Sequence, residues 1–304
     1  MEELEKKFRK IARRLSAFDI QADRAAWTLG WDDLISGNRA APGSELFLGK
    51  YSRHGIEVII EKFGFKHLLE RRGFRDLVVH CDTQDNFRHT LRVYYGNTRD
   101  PEHLLFELNA RFQRLEPDAD TALVKFVDKF NVLYIEWLML QDPKADFTPT
   151  RPRLPGQEHP GLGLGKEVLT LLILMARHLK VDALLNVPEH YHTALMFSKR
   201  FMFFNPVVQA TVRAVTRDLW QKYRLAVIAW GVHLGCVKEI NADHVFRWKP
   251  HRQVVPMHPA LRAYFASEVY AEQVERTLKG VRFTLDEETL RRKLNTMPSP
   301  PFRL

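Results

Sequence analysis

Residues 161–204 read GLGLGKEVLTLLILMARHLKVDALLNVPEHYHTALMFSKRFMFF. Three glycines alternate with two leucines, and an apolar stripe follows at once. From Lys166 to Lys180, Val168, Leu169, Leu172, Met175, Ala176 and Leu179 recur at helical spacing. Glycine lets backbone N–H groups turn outward, and a helix start adds partial positive charge. A Gly-rich loop running straight into a helix is therefore a phosphate cradle in principle. It is not a Walker loop, because Lys166 is not preceded by GxxxxG and is followed by Glu167. It also lacks the third glycine of a dinucleotide-binding turn. A short strand over 183–187, a helix over 191–199 and an aromatic strand over 201–204 complete the stretch.

Working outward, Asp76–His80 and His89–Tyr95 read as two strands joined by a polar turn. Leu104–Leu115 alternates apolar and polar residues and reads as a third strand. Asn131–Gln141 is a strongly apolar fourth. Ahead of them, 1–34 reads helical, with Leu4, Phe8, Ile11 and Leu15 on one stripe. A loop is expected over 38–49 and a helix over 56–69, broken at Gly64. Residues 142–160 carry five prolines and read as a long loop. Beyond Pro206 a long helix is expected to about Val237, then a strand over 244–256 interrupted by Pro250. Helices over 259–279 and 285–294 precede a Pro-rich tail.

The order strand, glycine loop, long helix, strand, helix, short strand resembles the nucleotide-binding motif of GNAT (GCN5-related) acyltransferases. Tyr134–Leu140 is similar to the strand before the loop, and Leu184–Val187 to the next strand, which in the family splays from its neighbour. Tyr191, Ala194 and Phe197 resemble the helix after it, with Tyr191 where the family usually has Asn. The likeness covers roughly residues 74–204. It implies an α/β fold with a GNAT-like, mixed, largely antiparallel sheet flanked by helices, and a helical C-terminal extension. The organisation expected is an N-terminal helical segment (1–73), an acyltransferase core (74–206) and a mainly helical extension (207–304) that covers the acceptor side or forms a homodimer contact.

The resemblance implies acyl transfer from acetyl-CoA or a longer acyl-CoA, or from an acidic acyl carrier protein, to an amine. Gly161, Leu162, Gly163, Leu164, Gly165 and Lys166 would hold the pyrophosphate, and Leu185 and Val187 the pantetheine arm and thioester. Such chemistry needs a base for the amine proton and an acid for the departing thiolate. Glu136, inside the apolar YIEWLML, is the candidate base if it faces a cleft; on the solvent side of an alternating strand it is a surface carboxylate. Tyr191 is the candidate acid, or else a packed residue at a helix start. Arg151, Arg153, Lys166, Lys199 and Arg200 are candidate phosphate contacts.

The chain has 304 residues and a formal net charge of +9. Residues 1–143 hold 22 basic and 23 acidic side chains and residues 144–304 hold 24 and 14, so the excess lies wholly in the second half. That favours an anionic partner. Nucleic acid is the competing one, with Trp220, Tyr223, Arg224, Trp230, Arg247, Trp248, Lys249, His251 and Arg252 as a stacking and cationic surface, although no helix-turn-helix, zinc-finger or RNP pattern is present. A GNAT-like fold that binds a ligand without turnover is a third reading. Two cysteines, Cys81 and Cys236, exclude a disulfide scaffold and a four-cysteine zinc site. Glu189, His190 and His192 give no metal spacing on a helix start, where the two imidazoles diverge, and no metal is expected. With no secretory signal and no apolar run of about 20 residues, a cytoplasmic protein is expected.

Overall fold

The computed structural model describes residues 2–21, 46–85, 87–118, 121–240, 242 and 244–302. It is an α/β fold whose strands are mostly antiparallel and flanked by helices. Contacts divide the chain into two units. The first comprises Met1–Gln113, Leu133–Lys144 and Gly161–Val181, and the second Arg114–Val132, Ala145–Pro160 and Asp182–Leu304.

The first unit opens with helices α1 (Glu2–Ala12) and α2 (Ala17–Gln21). Acidic residues in the first turn of α1 and basic ones in its last complement the helix dipole. Phe8 is buried edge-on to Phe63, with ring centroids 4.9 Å apart. The parts of the expected first helix and first loop over 22–45 lie outside the described residues. Helices α3 (Arg53–Lys62) and α4 (Phe65–Glu70) are separated at Gly64, whose φ of 84° breaks the run as expected. Ser52 caps α3, its hydroxyl accepting the Gly55 N–H at 2.9 Å.

Four strands follow in the order β1-β2-β3-β4: β1 (Val78–Asp82), β2 (His89–Tyr94), β3 (Leu104–Leu115) and β4 (Phe130–Leu140). The antiparallel register pairs Val79 with Val93 and Leu91 with Leu108, which puts these apolar residues on one side. The same alternation pairs His80 with Arg92, and Arg92 with Glu107, on the other. Helix α5 (Gly165–His178) buries Val168, Leu172, Met175 and Ala176. Helix α1 packs against it, tied by Arg177 to Glu5 at 2.9 Å.

The second unit contains β5 (Ala183–Asn186), α6 (Tyr191–Phe197), β6 (Met202–Phe203), α7 (Pro206–Leu219) and α8 (Leu225–His233). Strands β7 (Val237–Glu239), β8 (His244–Val245) and β9 (Gln253–Pro256) follow. Helices α9 (Pro259–Ala266) and α10 (Glu268–Gly280), strand β10 (Phe283–Leu285) and helix α11 (Glu287–Asn295) complete it. The late strand β9 lies between β5 and β6, antiparallel to both, so that Val254 faces Leu185 on one side and Met202 on the other. A separate small sheet runs β10-β7-β8.

Two expected helices are each divided. The one over 207–237 breaks after Leu219, where Arg224 takes an extended ψ of 159°, and ends at a Schellman turn. There Gly235 has φ 66°, Cys236 N–H donates to Gly231 O at 2.7 Å, and Gly235 N–H donates to Val232 O at 3.1 Å. The one over 259–279 breaks at Ser267, which is extended and caps α10 through Tyr270 N–H.

Gly55 is fixed by close approach. A Cβ there would strike the main-chain carbonyl of Ile20. Gly55→Ala should cost about 2 kcal/mol, an overpacking penalty. Gly280→Ala, where a Cβ meets nothing within 4 Å, should be neutral or stabilising. Urea denaturation of the two variants checks both.

Candidate functional site

In the glycine loop the two leucines are buried, while Gly161 is half-buried and Gly163 and Gly165 are exposed. Leu162 and Leu164 are buried and line an apolar cavity of about 80 Å³ with Ile56, Ile59, Leu91 and Leu108. Gly163, Gly165 and Lys166 are exposed. Gly163 has φ 70°, a conformation that favours glycine. Leu164 stands at the N-cap of α5 without a side chain able to cap it, so no side chain competes for the first-turn N–H groups. A Cβ at Gly165 would meet nothing within 4 Å, and one at Gly163 would meet only Arg72, whose Nη2 lies 3.8 Å away. The Nη1 of Arg72 donates to Leu68 O at 2.8 Å, which holds the guanidinium beside the loop. Arg72 escaped the sequence reading, since nothing in ERRGF marks it as a neighbour of residues 90 positions later. The exposed Gly163 and Gly165, an uncapped helix start, Arg72 and Lys166 together form a surface on which a phosphate group fits.

Glu136 also belongs to the first unit and is half-buried between two arginines. Arg111 Nε donates to its Oε1 at 2.7 Å, and Arg88 pairs with its Oε2. Arg111 lies over the Tyr134 ring, 5.3 Å from its centroid. With Arg92 Nε on Glu107 at 2.9 Å, the polar side of these strands carries a ladder of ion pairs. Both oxygens of Glu136 thus face a guanidinium.

Leu185, Val187 and Tyr191 belong to the second unit. Leu185 is buried in β5 opposite Val254, and Val187 follows the end of that strand. Tyr191 is buried edge-on to Phe246 and Trp248. Its hydroxyl has Thr216 beside it but no well-formed hydrogen bond, and burial raises its pKa.

Tyr191 lines a cavity of about 190 Å³ in this unit, together with His190, His192, His233, Arg247 and Trp248. The expected divergence of His190 and His192 does not occur. His190 is the N-cap of α6 and extended (φ −110°, ψ 145°), so it and His192 share a side as on a strand. Their rings stack at 5.3 Å and 13°. His233, from α8, joins them with its centroid 6.0 Å from that of His190. His192 is 4% exposed and its Nδ1 has no partner. Burial, with the neighbouring His190 and His233, lowers its pKa to about 4. Burial and His190 lower that of His233 as well. The Trp230 indole donates to Arg153 O at 2.8 Å and that of Trp248 to Pro188 O at 3.1 Å, which fixes the chain on either side of Pro155 and Glu189 at the rim.

Other candidates are occupied elsewhere. Trp230 is buried, Trp248 is half-buried and packs edge-on against Phe203 and His251, and Trp220 is half-exposed. Arg153 donates to Ser299 O at 3.0 Å, and Arg252 pairs with Asp118. Burial raises the Cys81 thiol to about 11, and Cys236 is buried beneath the α8 turn. Among the described residues no three His, Cys, Asp or Glu side chains are placed to hold a metal ion, and no helix is long and apolar enough to cross a membrane. No protein-family model matches the chain, and no curated protein matches its sequence.

His192 has an acid-stability signature. Its folded pKa lies below the unfolded value of about 6.5, so the unfolded chain binds the extra proton. The stability tied to its neutral form is complete above about pH 6.5 and is lost as pH falls toward 4. The total loss is about 3 kcal/mol. His192→Phe should flatten the fall in stability between these limits, read as Tm against pH for the variant and the wild type. Parallel curves would show that His192 is not the group responsible.

Proposed function

We propose that the chain is a GNAT-like acyltransferase that moves an acyl group from acyl-CoA, acetyl or longer, to an amine. The observation that carries the reading is the loop at 161–166, where buried leucines anchor the exposed Gly163 and Gly165 at an uncapped helix start beside Arg72. The order β4, glycine loop, α5, β5, α6, β6 supports it, as does the antiparallel run β1-β2-β3 before it.

Bound acyl-CoA would supply the thioester. In this reading Gly163, Gly165 and Lys166 orient its pyrophosphate through backbone N–H groups, with Arg72 neutralising charge. In the second unit the backbone of β5 near Leu185 and Val187 is the candidate contact for the acyl carbonyl and Tyr191 the candidate acid for the leaving sulfur; in the first, Glu136 is the candidate base for the amine proton. Burial keeps Tyr191 protonated, as an acid must be before it acts. An acidic carrier protein is the alternative donor, suited to the positive second half of the sequence.

Acetyl-CoA at 100 times its Kd should add about 2.7 kcal/mol, a rise of several degrees in Tm. Gly163→Asp should remove the rise, and Arg72→Ala, on an exposed side chain, should weaken binding about tenfold. No shift with acetyl-CoA, a longer acyl-CoA or free CoA would sink the reading. Once an amine acceptor supports turnover, Glu136→Gln should lower kcat by at least about a hundredfold. Unchanged turnover removes Glu136 from the mechanism.

A further inference from the structure

The second unit carries a cation-rich cavity that the acyl-transfer reading does not use beyond Tyr191. Three imidazoles and one guanidinium converge on about 190 Å³, from the start of α6, the end of α8 and the segment after β8. The acidic group at its rim is Glu189, which is exposed. His192 lines the cavity while its Nδ1 is shut away and unpartnered, so any contact with a ligand falls to its Nε2. Arg247 and His233 are exposed on the same lining, so a ligand can reach it from solvent. The volume is below the roughly 300 Å³ of sites for drug-sized molecules, so the ligand is small.

We propose that this cavity binds a tetrahedral oxyanion, the phosphate group of a small phosphorylated molecule, between His190, His192, His233 and Arg247. A dianion offsets the burial and the neighbouring imidazoles that oppose protonation of His192 and His233, and the positive charge those rings then gain lies beside it. Arg247 supplies permanent charge, and the imidazoles supply charge that appears when the ligand enters. Trp248 and Tyr191 give the pocket rigid aromatic walls, held by the Trp248 bond to Pro188 O. The groups that set the titration of His192 are His190 and His233 beside it, with Glu189, Tyr191 and Arg247 around the rest of the lining. Binding should therefore take up protons, and its strength should rise as pH falls.

Sulfate is the probe, because it remains a dianion throughout the range and any pH dependence belongs to the protein. Against sodium chloride of equal ionic strength, sulfate should raise Tm at pH 6 and raise it little at pH 8. Calorimetry should show affinity increasing by up to about tenfold per pH unit for one proton taken up. The proton uptake is read by repeating the titration in two buffers of different ionisation enthalpy. Arg247→Gln, at an exposed position, should abolish the effect, whereas Gly163→Asp should leave it intact. The Gly163 control separates this proposal from the acyl-CoA reading, which can fail without it. Equal shifts at pH 6 and pH 8, zero proton uptake, or full sulfate binding by Arg247→Gln would each overturn it. Failure of Arg247→Gln to fold leaves the wild-type proton count as the deciding measurement.

Discussion

Leu162 and Leu164 are held in an apolar core, and with their side chains fixed Gly163 between them is left exposed, as is Gly165 after them. This one alternation sets where α5 begins. It leaves the first turn of α5 without a side-chain cap, and it brings Gly163 beside Arg72, just past the end of α4. The apolar stripe of α5 continues the anchor through Val168 and Leu172 into the same cavity. The loop is therefore shaped first by hydrophobic burial. A surface made this way stays open without a ligand to order it.

The positive excess of residues 144–304 has a partly internal use. Lys293 donates to Leu234 O at 2.6 Å, at the C-cap of α8. Arg217 donates to Leu278 O and Val281 O, both at 2.7 Å, where α10 ends. These cations satisfy carbonyls that a helix end leaves without partners, and they sit at its negative pole. A whole-chain charge thus overstates what is offered to an anion. Near the histidine cavity the fixed charge is Arg247, and burial holds the His192 and His233 imidazoles toward their neutral form.

Elements defined by local pattern were legible in the sequence. Strand β3 falls on the predicted residues, β4, β5 and α6 lie within two residues of their predicted ends, and the break at Gly64 follows from one glycine. The breaks at Trp220 and Ser267 were not legible, because the apolar pattern runs through both and only the backbone conformation of Arg224 and Ser267 divides it. The histidine cluster was invisible for two physical reasons. His233 comes 41 residues after His192 and is brought in by tertiary packing, and the side of the chain that His190 faces depends on its being the cap and not the first helical residue. Arg72 beside Gly163 is the same kind of long-range neighbour. The ladder that occupies Glu136 follows from a register that alternation suggests but cannot fix.

Gly156 lies on the other side of His190. It has φ 77°, and a Cβ there would run into the imidazole. Two separate demands, on the backbone and on the space beside it, thus fall on one residue of the proline-rich segment. Any side chain at 156 would push His190 out of its stack with His192, so the position can change in evolution only in step with 190. A related chain that has lost the histidine is released from the contact but still carries the backbone demand, so the glycine can outlast the histidine.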